Sequence, residues 1–369
     1  MPTVRTLQHS VTFNGSTLDN VLSFRYALGY DEPVGSAQIT LGGWTSPGVL
    51  LQTSSLGTYF DDVSITVDGI VRWSGIFLQW DYSLFPRQVT MQCKGRLEYA
   101  NRFKLPIEAV RVEDKGLLLE DLTGSSSATD QAIVQAVLDY IGLSRGTVTP
   151  LGGSGRNYGT IANQEFVWAV NESALSYIQK IDGVSAGYRT FETANGVIFR
   201  TEISSRPSGS PDLTFTEGVD IKEASSSRSV QNAYNGVRIE GYSVGDYADP
   251  RVWLEIDGNP FMDTSNPQIY SYGNSMIERR AESSTGEGMS CERMAEFWLG
   301  ELNREIVTVQ MTTPRSDLIG PAQIHLVQGP GGQAYRLGVG EPLWVQRVEG
   351  TLDQSGAFSQ TMSYIGGGI

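Results

Sequence analysis

Short runs in which hydrophobic and polar residues alternate, separated by turn signals, constrain the fold of this chain more than any other feature. The run 63–67 precedes Asp68-Gly69, a dipeptide typical of a two-residue hairpin turn. Repeated short strands of this kind predict a small β-barrel-like or sandwich-like domain, which we place at residues 1–110. The alternating runs are 11–13, 21–26, 37–41, 63–67, 71–82 and 88–93.

The middle of the chain has a different period. Hydrophobic residues at helical spacing predict two helices, the second of which we expect to end at Asp182-Gly183. A hairpin signal, Asn195-Gly196, then joins two short strands. We therefore predict an α+β domain at residues 111–206. The helical positions are Ile133, Val134, Val137, Leu138 and Ile141 in the first helix, and Ala174, Leu175, Ile178 and Ile181 in the second.

Strand patterns resume after a linker rich in serine, proline and glycine at 204–211, and they predict a second β-barrel-like domain at residues 207–369. One apolar stripe at helical spacing, at 289–305, predicts a helical insertion at about 274–305. The predicted class is β-rich α+β and multidomain, with two small β-barrel-like domains, an inserted helical α+β domain and a further helical insertion. The strand patterns of this last region lie at 235–241, 251–256, 307–311, 323–327, 343–350 and 358–365.

A sequence echo links the two β regions. Near the end of the first, a tryptophan-bearing run at 73–80 is followed by an alternating run at 89–93 that contains Thr-Met. Near the C-terminus, 343–348 and 359–364 repeat this order, again with a tryptophan and then Thr-Met. The echo predicts two related β-domains within one chain.

Charge separates the first domain from the rest. Residues 1–105 contain eight basic and eight acidic residues, so the other 19 basic and 33 acidic residues carry the whole net charge of −14. An acidic excess argues against a nucleic-acid reader, which presents a basic face. The neutral first domain is suited to packing against protein neighbours.

Few side chains are available for catalysis. The chain has two histidines, His9 and His325, and two cysteines, Cys93 and Cys291. We expect buried cysteines rather than a disulfide framework or a cysteine zinc site. Gly-x4-Gly-Lys and His-Glu-x-x-His do not occur, and we expect no nucleophile elbow. We therefore predict no catalytic, cofactor-binding or metal-binding residues, and no enzyme.

Two weaker patterns also favour turns over sites. Residues 329–334 fit the loose glycine pattern of dinucleotide-binding loops, but the residues after them indicate a strand instead of the required helix. Asp257, Asn259 and Asp263 are oxygen ligands of the kind that calcium takes, yet their spacing lacks the EF-hand glutamate.

Two other function classes stay open at this point. Exposed aromatic rings could bind carbohydrate, although Trp73, Trp80 and Trp344 lie within strand patterns where core packing is the simpler expectation. A cell-wall hydrolase would need two carboxyl groups facing one cleft. Asp61 and Asp62 are neighbours in a strand pattern and point to opposite faces.

Nothing in the sequence indicates a membrane or secreted protein. No stretch approaches the roughly 18 apolar residues of a membrane span. The N-terminal residues are not followed by the apolar segment of a secretory signal. We expect a soluble protein that stays in a reducing cytoplasm until assembly or release.

The order of these elements resembles the central hub proteins of phage tail baseplates, a family that includes the late control protein D type and the hub of contractile phages. The resemblance runs in order along nearly the whole chain. Its segments are 62–69 with 73–76, the helix 132–141, the helix 173–180 with 187–191 and Asn195-Gly196, the strand 235–241, and the closing run 340–348.

This resemblance implies a homotrimer in which each chain contributes two similar barrels to a ring of six. Such a ring adapts a six-fold tail tube or distal tail protein above to a three-fold spike or fibre below. It also implies a lumen through which the tape measure protein and then DNA pass without specific binding. The expected location is the tail tip or baseplate of a virion assembled in the host cytoplasm.

Overall fold

The computed structural model describes residues 8–42, 61–83, 85–106, 116–117, 119–124, 128–143, 157–158, 168–184, 187–203, 207, 209–229, 236–241, 252–256, 270–275, 301, 306–329 and 342–367. The strands before the α+β region are β1 His9–Phe13, β2 Ser16–Thr17, β3 Val21–Gly29, β4 Ser36–Gly42, β5 Asp62–Val67, β6 Ile70–Ser83 and β7 Gln88–Lys94. The helices are α1 Leu97–Arg102, α2 Leu119–Thr123, α3 Asp130–Tyr140 and α4 Ala174–Val184.

The remaining strands follow in chain order. Those of the α+β region are β8 Gly116–Leu117, β9 Ala128–Thr129, β10 Asn157–Tyr158, β11 Trp168–Ala169, β12 Tyr188–Glu192 and β13 Ile198–Glu202. Those after it are β14 Leu213–Thr216, β15 Glu223–Ser229, β16 Gly236–Gly241, β17 Val252–Ile256, β18 Tyr270–Ser275, β19 Ile306–Thr313, β20 Ile324–Gln328, β21 Leu343–Leu352 and β22 Phe358–Gly367. The predicted β-rich α+β class with helical insertions is confirmed.

Thirteen of the described strands form one sheet. Its main path runs β15-β19-β22-β21-β3-β4-β7-β6-β5-β1-β2, while β20 pairs with β21 and β14 pairs with β20. Strands from the two ends of the sequence meet at β21 and β3, which pair antiparallel. The two predicted β regions are therefore halves of one continuous sheet.

Each half of this sheet has the same strand order. In the N-terminal half the order is β3-β4-β7-β6-β5-β1, and in the C-terminal half it is β15-β19-β22-β21-β20-β14. The hairpins correspond as well, so that β6-β7 matches β21-β22. The relation that the sequence echo predicted is present as a repeated topology.

Turn chemistry stabilises two of the hairpins, and the first of these turns was predicted from the sequence. Asp68 and Gly69, between β5 and β6, both have positive φ (52° and 76°), as a two-residue turn of this kind requires. In the C-terminal half, the carboxylate of Asp353 accepts hydrogen bonds from the backbone N–H of Ser355 (2.8 Å) and of Ala357 (3.0 Å). Each turn helps to set the register of its hairpin.

One hydrophobic cluster runs through both halves of the sheet. Alternate residues of the strands point into it, so that Ile65 and Met91 from the N-terminal half and Met311 and Val345 from the C-terminal half are all fully buried. Cys93 also lies in this cluster. A shared core means that the two halves stabilise each other.

The α+β region has a second core. Helices α1, α3 and α4 contribute most of its buried side chains, and Trp168 is also fully buried in it. Thr129 caps α3 by accepting a hydrogen bond from the Ala132 N–H (3.1 Å). The short helix α1 was not predicted. Helix α4 was predicted to end at Asp182-Gly183, and it ends one residue later, at Val184.

Several sequence predictions fall outside the described residues. These are the helix at 289–305, the cluster of Asp257, Asn259 and Asp263, and most of the glycine-rich stretch 329–334. The strands β16, β17 and β18 form a separate three-stranded sheet. In the part of the chain that the structure describes, no helix is both long and apolar enough to span a membrane.

Candidate functional site

Where the two halves of the sheet join, hydrophobic contacts, a buried polar network and ion pairs lie close together. We call it the seam and define it as residues 24–29 of β3 with residues 347–352 of β21, which pair antiparallel. Leu28 lies opposite Val348, and Phe24 lies opposite Leu352. All four side chains are buried, with exposed fractions of 2% or less. The seam is therefore sealed on its core side by hydrophobic contacts.

At the middle of the seam, a large side chain on one strand faces a glycine on the other. Tyr26 lies opposite Gly350, and a Cβ atom at Gly350 would overlap the Tyr26 ring. Glycine at this position is thus a requirement of close approach between strands. The large side chain of one strand fills the space that the other strand leaves empty.

A buried polar network lies beside this pair. The Tyr26 hydroxyl donates to Gln360 Oε1 (3.2 Å), and Gln360 Nε2 donates to the carbonyl oxygens of Arg315 (2.9 Å) and Asp317 (3.1 Å). Arg72 of β6 is buried, and its guanidinium donates to the carbonyl oxygens of Ser316 and Asp317. The network ties a strand of the N-terminal half to a loop of the C-terminal half.

Ion pairs line the solvent side of the seam. Arg25 contacts Glu349 (2.5 Å), and Arg347 contacts Glu32 (2.6 Å) and Glu349 (3.0 Å). Arg25 is largely exposed, so pairs of this kind contribute at most about 1 kcal/mol each to stability. They favour the correct register more than they add to the free energy of unfolding.

The C-terminal half also holds a buried histidine. His325 Nδ1 lies 3.0 Å from the Tyr364 hydroxyl, and Nε2 lies 3.1 Å from Gln323 Oε1. Burial lowers the pKa of His325 to about 3, because the charged imidazolium loses its hydration there. The imidazole is therefore neutral at physiological pH and serves as a hydrogen-bonding core residue.

The α+β region is anchored to the sheet through a buried carboxyl group. Glu192 of β12 accepts a hydrogen bond from the Leu97 N–H, at the start of α1. Burial raises the pKa of Glu192 to about 8, and the backbone hydrogen bonds only partly offset this. A Cβ atom at Gly95 would overlap this carboxyl group, so Gly95 makes room for the junction.

The α+β core contains a second buried charged cluster. Arg200 of β13 contacts Asp130 of α3 (2.9 Å) and Asp182 of α4 (2.7 Å), and all three side chains are buried. The cluster fixes both helices against the β12-β13 hairpin.

The two halves can be aligned residue by residue through their hairpins. The β6-β7 pair shifts register between Phe77 and Gln79, and the β21-β22 pair shifts between Val345 and Arg347. Aligning these bulges places Met91 on Met362, so the two Thr-Met dipeptides of the sequence echo coincide. The tryptophans do not coincide.

The equivalent positions hold different side chains. Trp80 corresponds to Val348 and Tyr82 to Gly350, while Trp344 corresponds to Ile76. The sequence echo was therefore correct about the hairpins, and the tryptophans in it are not equivalent residues.

The described residues that the sequence analysis weighed as possible sites do not come together in one place. Trp73 and Trp344 are buried, as expected for core residues, and Trp80 is half-buried. Asp62 is exposed and pairs with Arg96 (3.0 Å). Within the described residues, no three His, Cys, Asp or Glu side chains cluster as metal ligands. His9 lies on β1, near the opposite end of the sheet path from β15.

The Gly-x-Ser-x-Gly pattern occurs twice in the sequence, at 142–146 and at 241–245. A nucleophile elbow requires this pattern on a sharp turn between a strand and a helix. The first copy begins two residues after helix α3 ends, so the element before it is the wrong one. The second copy begins at the last residue of β16 and otherwise lies outside the described residues.

Sequence reasoning missed the residues of the seam. Tyr26, Arg72, Gly350 and Gln360 carry no motif. The contacts across the seam are far apart in sequence, with 334 positions between Tyr26 and Gln360 and 245 between Arg72 and Asp317. One signal was available, because Gly350 takes one of the alternating hydrophobic positions of its strand. An isolated glycine in a strand indicates a bulge or a close approach of another backbone.

Comparisons with known proteins give matches in structure. No protein-family model matches the chain, and no curated protein matches it in sequence. A tail protein from Neisseria meningitidis superposes with a TM-score of 0.66 at 12% identity, over 98% of this chain and 97% of that one. The chain has the fold of this tail protein.

Two further solved structures extend the likeness. The 43 kDa tail protein of prophage MuSo2 from Shewanella oneidensis has a TM-score of 0.63 at 11% identity, over 97% of this chain and 98% of that one. The c3393 protein of E. coli, a type VI secretion component described as similar to the T4 tail proteins gp27 and gp5, has a TM-score of 0.51 at 12% identity. The superposition includes 96% of this chain and 76% of the c3393 chain. The fold resemblance inferred from the sequence is confirmed.

Proposed function

We propose that this chain is a structural, non-enzymatic hub at the distal end of a phage-type tail. The observation that carries the proposal is the repeated strand order, with two equivalent halves joined edge to edge in one sheet. Three copies of such a chain supply six equivalent halves. A closed ring of three chains then has pseudo-six-fold symmetry in its sheet and three-fold symmetry in everything that occurs once per chain.

This symmetry gives the ring its role as an adaptor. The six sheet halves match a six-fold tube or distal tail protein on one side. The α+β region occurs once per chain, between β7 and β14, so a three-fold spike or fibre is the natural partner on the other side. The full-length overlap with a tail protein and a prophage tail protein supports a tail or baseplate location within a virion.

The charge of the chain fits a conduit. Its net charge of −14 arises entirely after residue 105. Carboxylates repel phosphates, so an acidic lumen lets DNA follow the tape measure protein without binding to the wall. We propose that assembly takes place in the host cytoplasm, before any passage of DNA.

The competing functions make different predictions. A carbohydrate-binding module needs an exposed aromatic platform. Trp73, Trp168 and Trp344 are buried, so among the described residues the half-buried Trp80 and the exposed Tyr82 of β6 are the rings that such a module would use. Calorimetry with cell-wall glycans separates this alternative from the hub. A cell-wall hydrolase would release peptidoglycan fragments, and an alanine in place of one facing carboxylate would abolish that release.

Light scattering of the purified full-length chain tests the proposal. Three copies of a 40.3 kDa chain are expected in one particle. Three-fold density for the chain at the end of the tail tube, in a map of the intact tail, is the corresponding expectation in the particle. Absence of the chain from such a ring would overturn the proposed function.

A further inference from the structure

Two open edges in the sheet of one chain are equivalent to the two sides of the seam. Strand β6 pairs with β5 only up to Ile76, so its residues 79–83 pair with β7 along one side only, as far as the described strands extend. At one end of the main path, β15 pairs with β19 and is the last described strand there. In the repeated strand order, β6 corresponds to β21 and β15 corresponds to β3.

The registers of the neighbouring strand pairs show which residues correspond between β6 and β21 and between β15 and β3. The aligned bulges place Tyr82 on Gly350. On the other side, β4 pairs with β7 as β19 pairs with β22, which places Ile39 on Met311. Because Ile39 lies opposite Phe24, and Met311 lies opposite Ala224, Ala224 corresponds to Phe24.

We propose that β6 of one chain pairs antiparallel with β15 of the next chain and so repeats the seam between copies. The register of the internal seam then places Tyr82 opposite Ser226 and Asp81 opposite Ser227. The partner is a second copy of this chain. This inference rests on the proposed function, because it closes the same ring of three.

Side-chain sizes support this pairing. In the internal seam the large residue, Tyr26, comes from β3 and the glycine, Gly350, comes from β21. In the proposed seam the positions are reversed, since the large residue, Tyr82, comes from β6 and the small one, Ser226, comes from β15. One large and one small side chain meet in both cases.

Exposure also supports it. Tyr82 is 44% exposed, although its equivalent Gly350 is buried in the seam. It continues a row of aromatic rings, with Phe77 and Trp80 at 5.1 Å and Trp80 and Tyr82 at 5.9 Å between centroids. Aromatic residues at the open edge of a sheet are suited to burial under an added strand.

A ring with this seam contains one continuous sheet. Three seams lie within chains and three lie between chains, and all six have the same strand order on both sides. The proposal therefore predicts which residues of neighbouring copies touch, in addition to how many copies there are.

Disulfide cross-linking of the full-length chain tests the register. The variant Tyr82→Cys/Ser226→Cys is made in a background with Cys291→Ser. Cys93 can stay, because burial raises the pKa of its thiol to about 12 and keeps it unreactive. Directly opposed residues have Cα atoms about 4.5–5.5 Å apart, within the range that a disulfide spans. Tyr82→Cys/Ala224→Cys is the matched control, since diagonal neighbours lie about 7–8 Å apart.

Each outcome of oxidation and light scattering is decisive. A covalent trimer of the Tyr82→Cys/Ser226→Cys variant, with none in the control, supports the seam. A trimer that does not cross-link, or one that cross-links equally in the control, overturns the register and leaves the proposed function standing. Cross-linked species larger than three copies support the seam and overturn the closed ring. A monomer without any cross-link overturns both.

A size swap tests the same contact without cysteines. Ser226→Tyr should weaken association by about tenfold or more, because two tyrosines then compete for one space. Tyr82→Gly/Ser226→Tyr recreates the pair found in the internal seam and should restore association. Failure of the double variant to recover, while each chain still folds, would contradict the proposed register.

Discussion

The N-terminal and C-terminal halves of the sheet share one strand order but fill it with different side chains. Val63 of β5 and His325 of β20 occupy equivalent positions, and both are buried. Cys93 and Tyr364 are equivalent in the same way. The topology is therefore set by alternation, turns and bulge position. Different core residues can occupy equivalent positions, provided that a buried polar side chain such as His325 has a hydrogen-bond partner.

The halves also differ at their far ends. Strand β1 pairs antiparallel with β5, whereas β14 pairs parallel with β20. The strands near the seam thus keep the same order and direction in both halves, whereas the outer strands β1 and β14 differ in direction relative to their neighbours. This is the pattern expected if the seam and the open edges, rather than the outer strands, carry the function.

Removal of Arg72 should give the largest loss of stability. Arg72→Met removes the charged donor of the Ser316 carbonyl oxygen and leaves the Asp317 carbonyl oxygen with Gln360 Nε2 alone, at a cost of about 3 kcal/mol in the free energy of unfolding for the two lost bonds. Urea unfolding measures the change. Arg25→Met is the control, because it breaks an exposed pair across the same seam and should cost less than about 1 kcal/mol. Equal losses would show that Arg72 does not join the halves.

Acid should destabilise the C-terminal half through His325. Its folded-state pKa of about 3 lies below the ordinary value of 6.5, so the unfolded chain binds the extra proton. The stability that the neutral His325 side chain contributes to the folded state is fully present above pH 6.5 and is lost as the pH falls towards 3. The loss is about 1.4 kcal/mol per pH unit within this window.

The variant His325→Val/Tyr364→Phe gives this half the apolar character of Val63 without orphaning the Tyr364 hydroxyl. From about pH 6 to about pH 4.5 the wild-type chain should lose about 2 kcal/mol relative to this variant. Comparing the two chains cancels Glu192, whose raised pKa has the opposite sign and lowers stability as the pH rises towards 8. Parallel pH profiles would contradict the assignment.

The size match in the seam should be sensitive to a single methyl group. Gly350→Ala places a Cβ atom where the Tyr26 ring lies, and we expect a loss of about 1.5 kcal/mol. Gly320→Ala is the matched control, since nothing lies within 4 Å of the added atom. Thermal unfolding of both variants compares them. A harmless Gly350→Ala would mean that the strands of the seam are not closely packed.

Local pattern was enough to predict the hairpins and the main helices. Alternation and Asp68-Gly69 predicted the β5-β6 hairpin, and helical spacing predicted α3 and α4. The seam was out of reach, because no local pattern shows that residues 24–29 pair with residues 347–352. The buried cluster of Arg200, Asp130 and Asp182 was not predicted for a related reason, since Arg200 comes from a separate strand.

Electron cryomicroscopy of the assembled particle tests the central claim most directly. We expect a ring of three chains in which the six sheet halves repeat the same strand order with pseudo-six-fold symmetry, while the α+β region follows three-fold symmetry only. A ring in which the N-terminal and C-terminal halves do not alternate in equivalent positions around the axis, or a particle with two or four copies, would contradict this expectation.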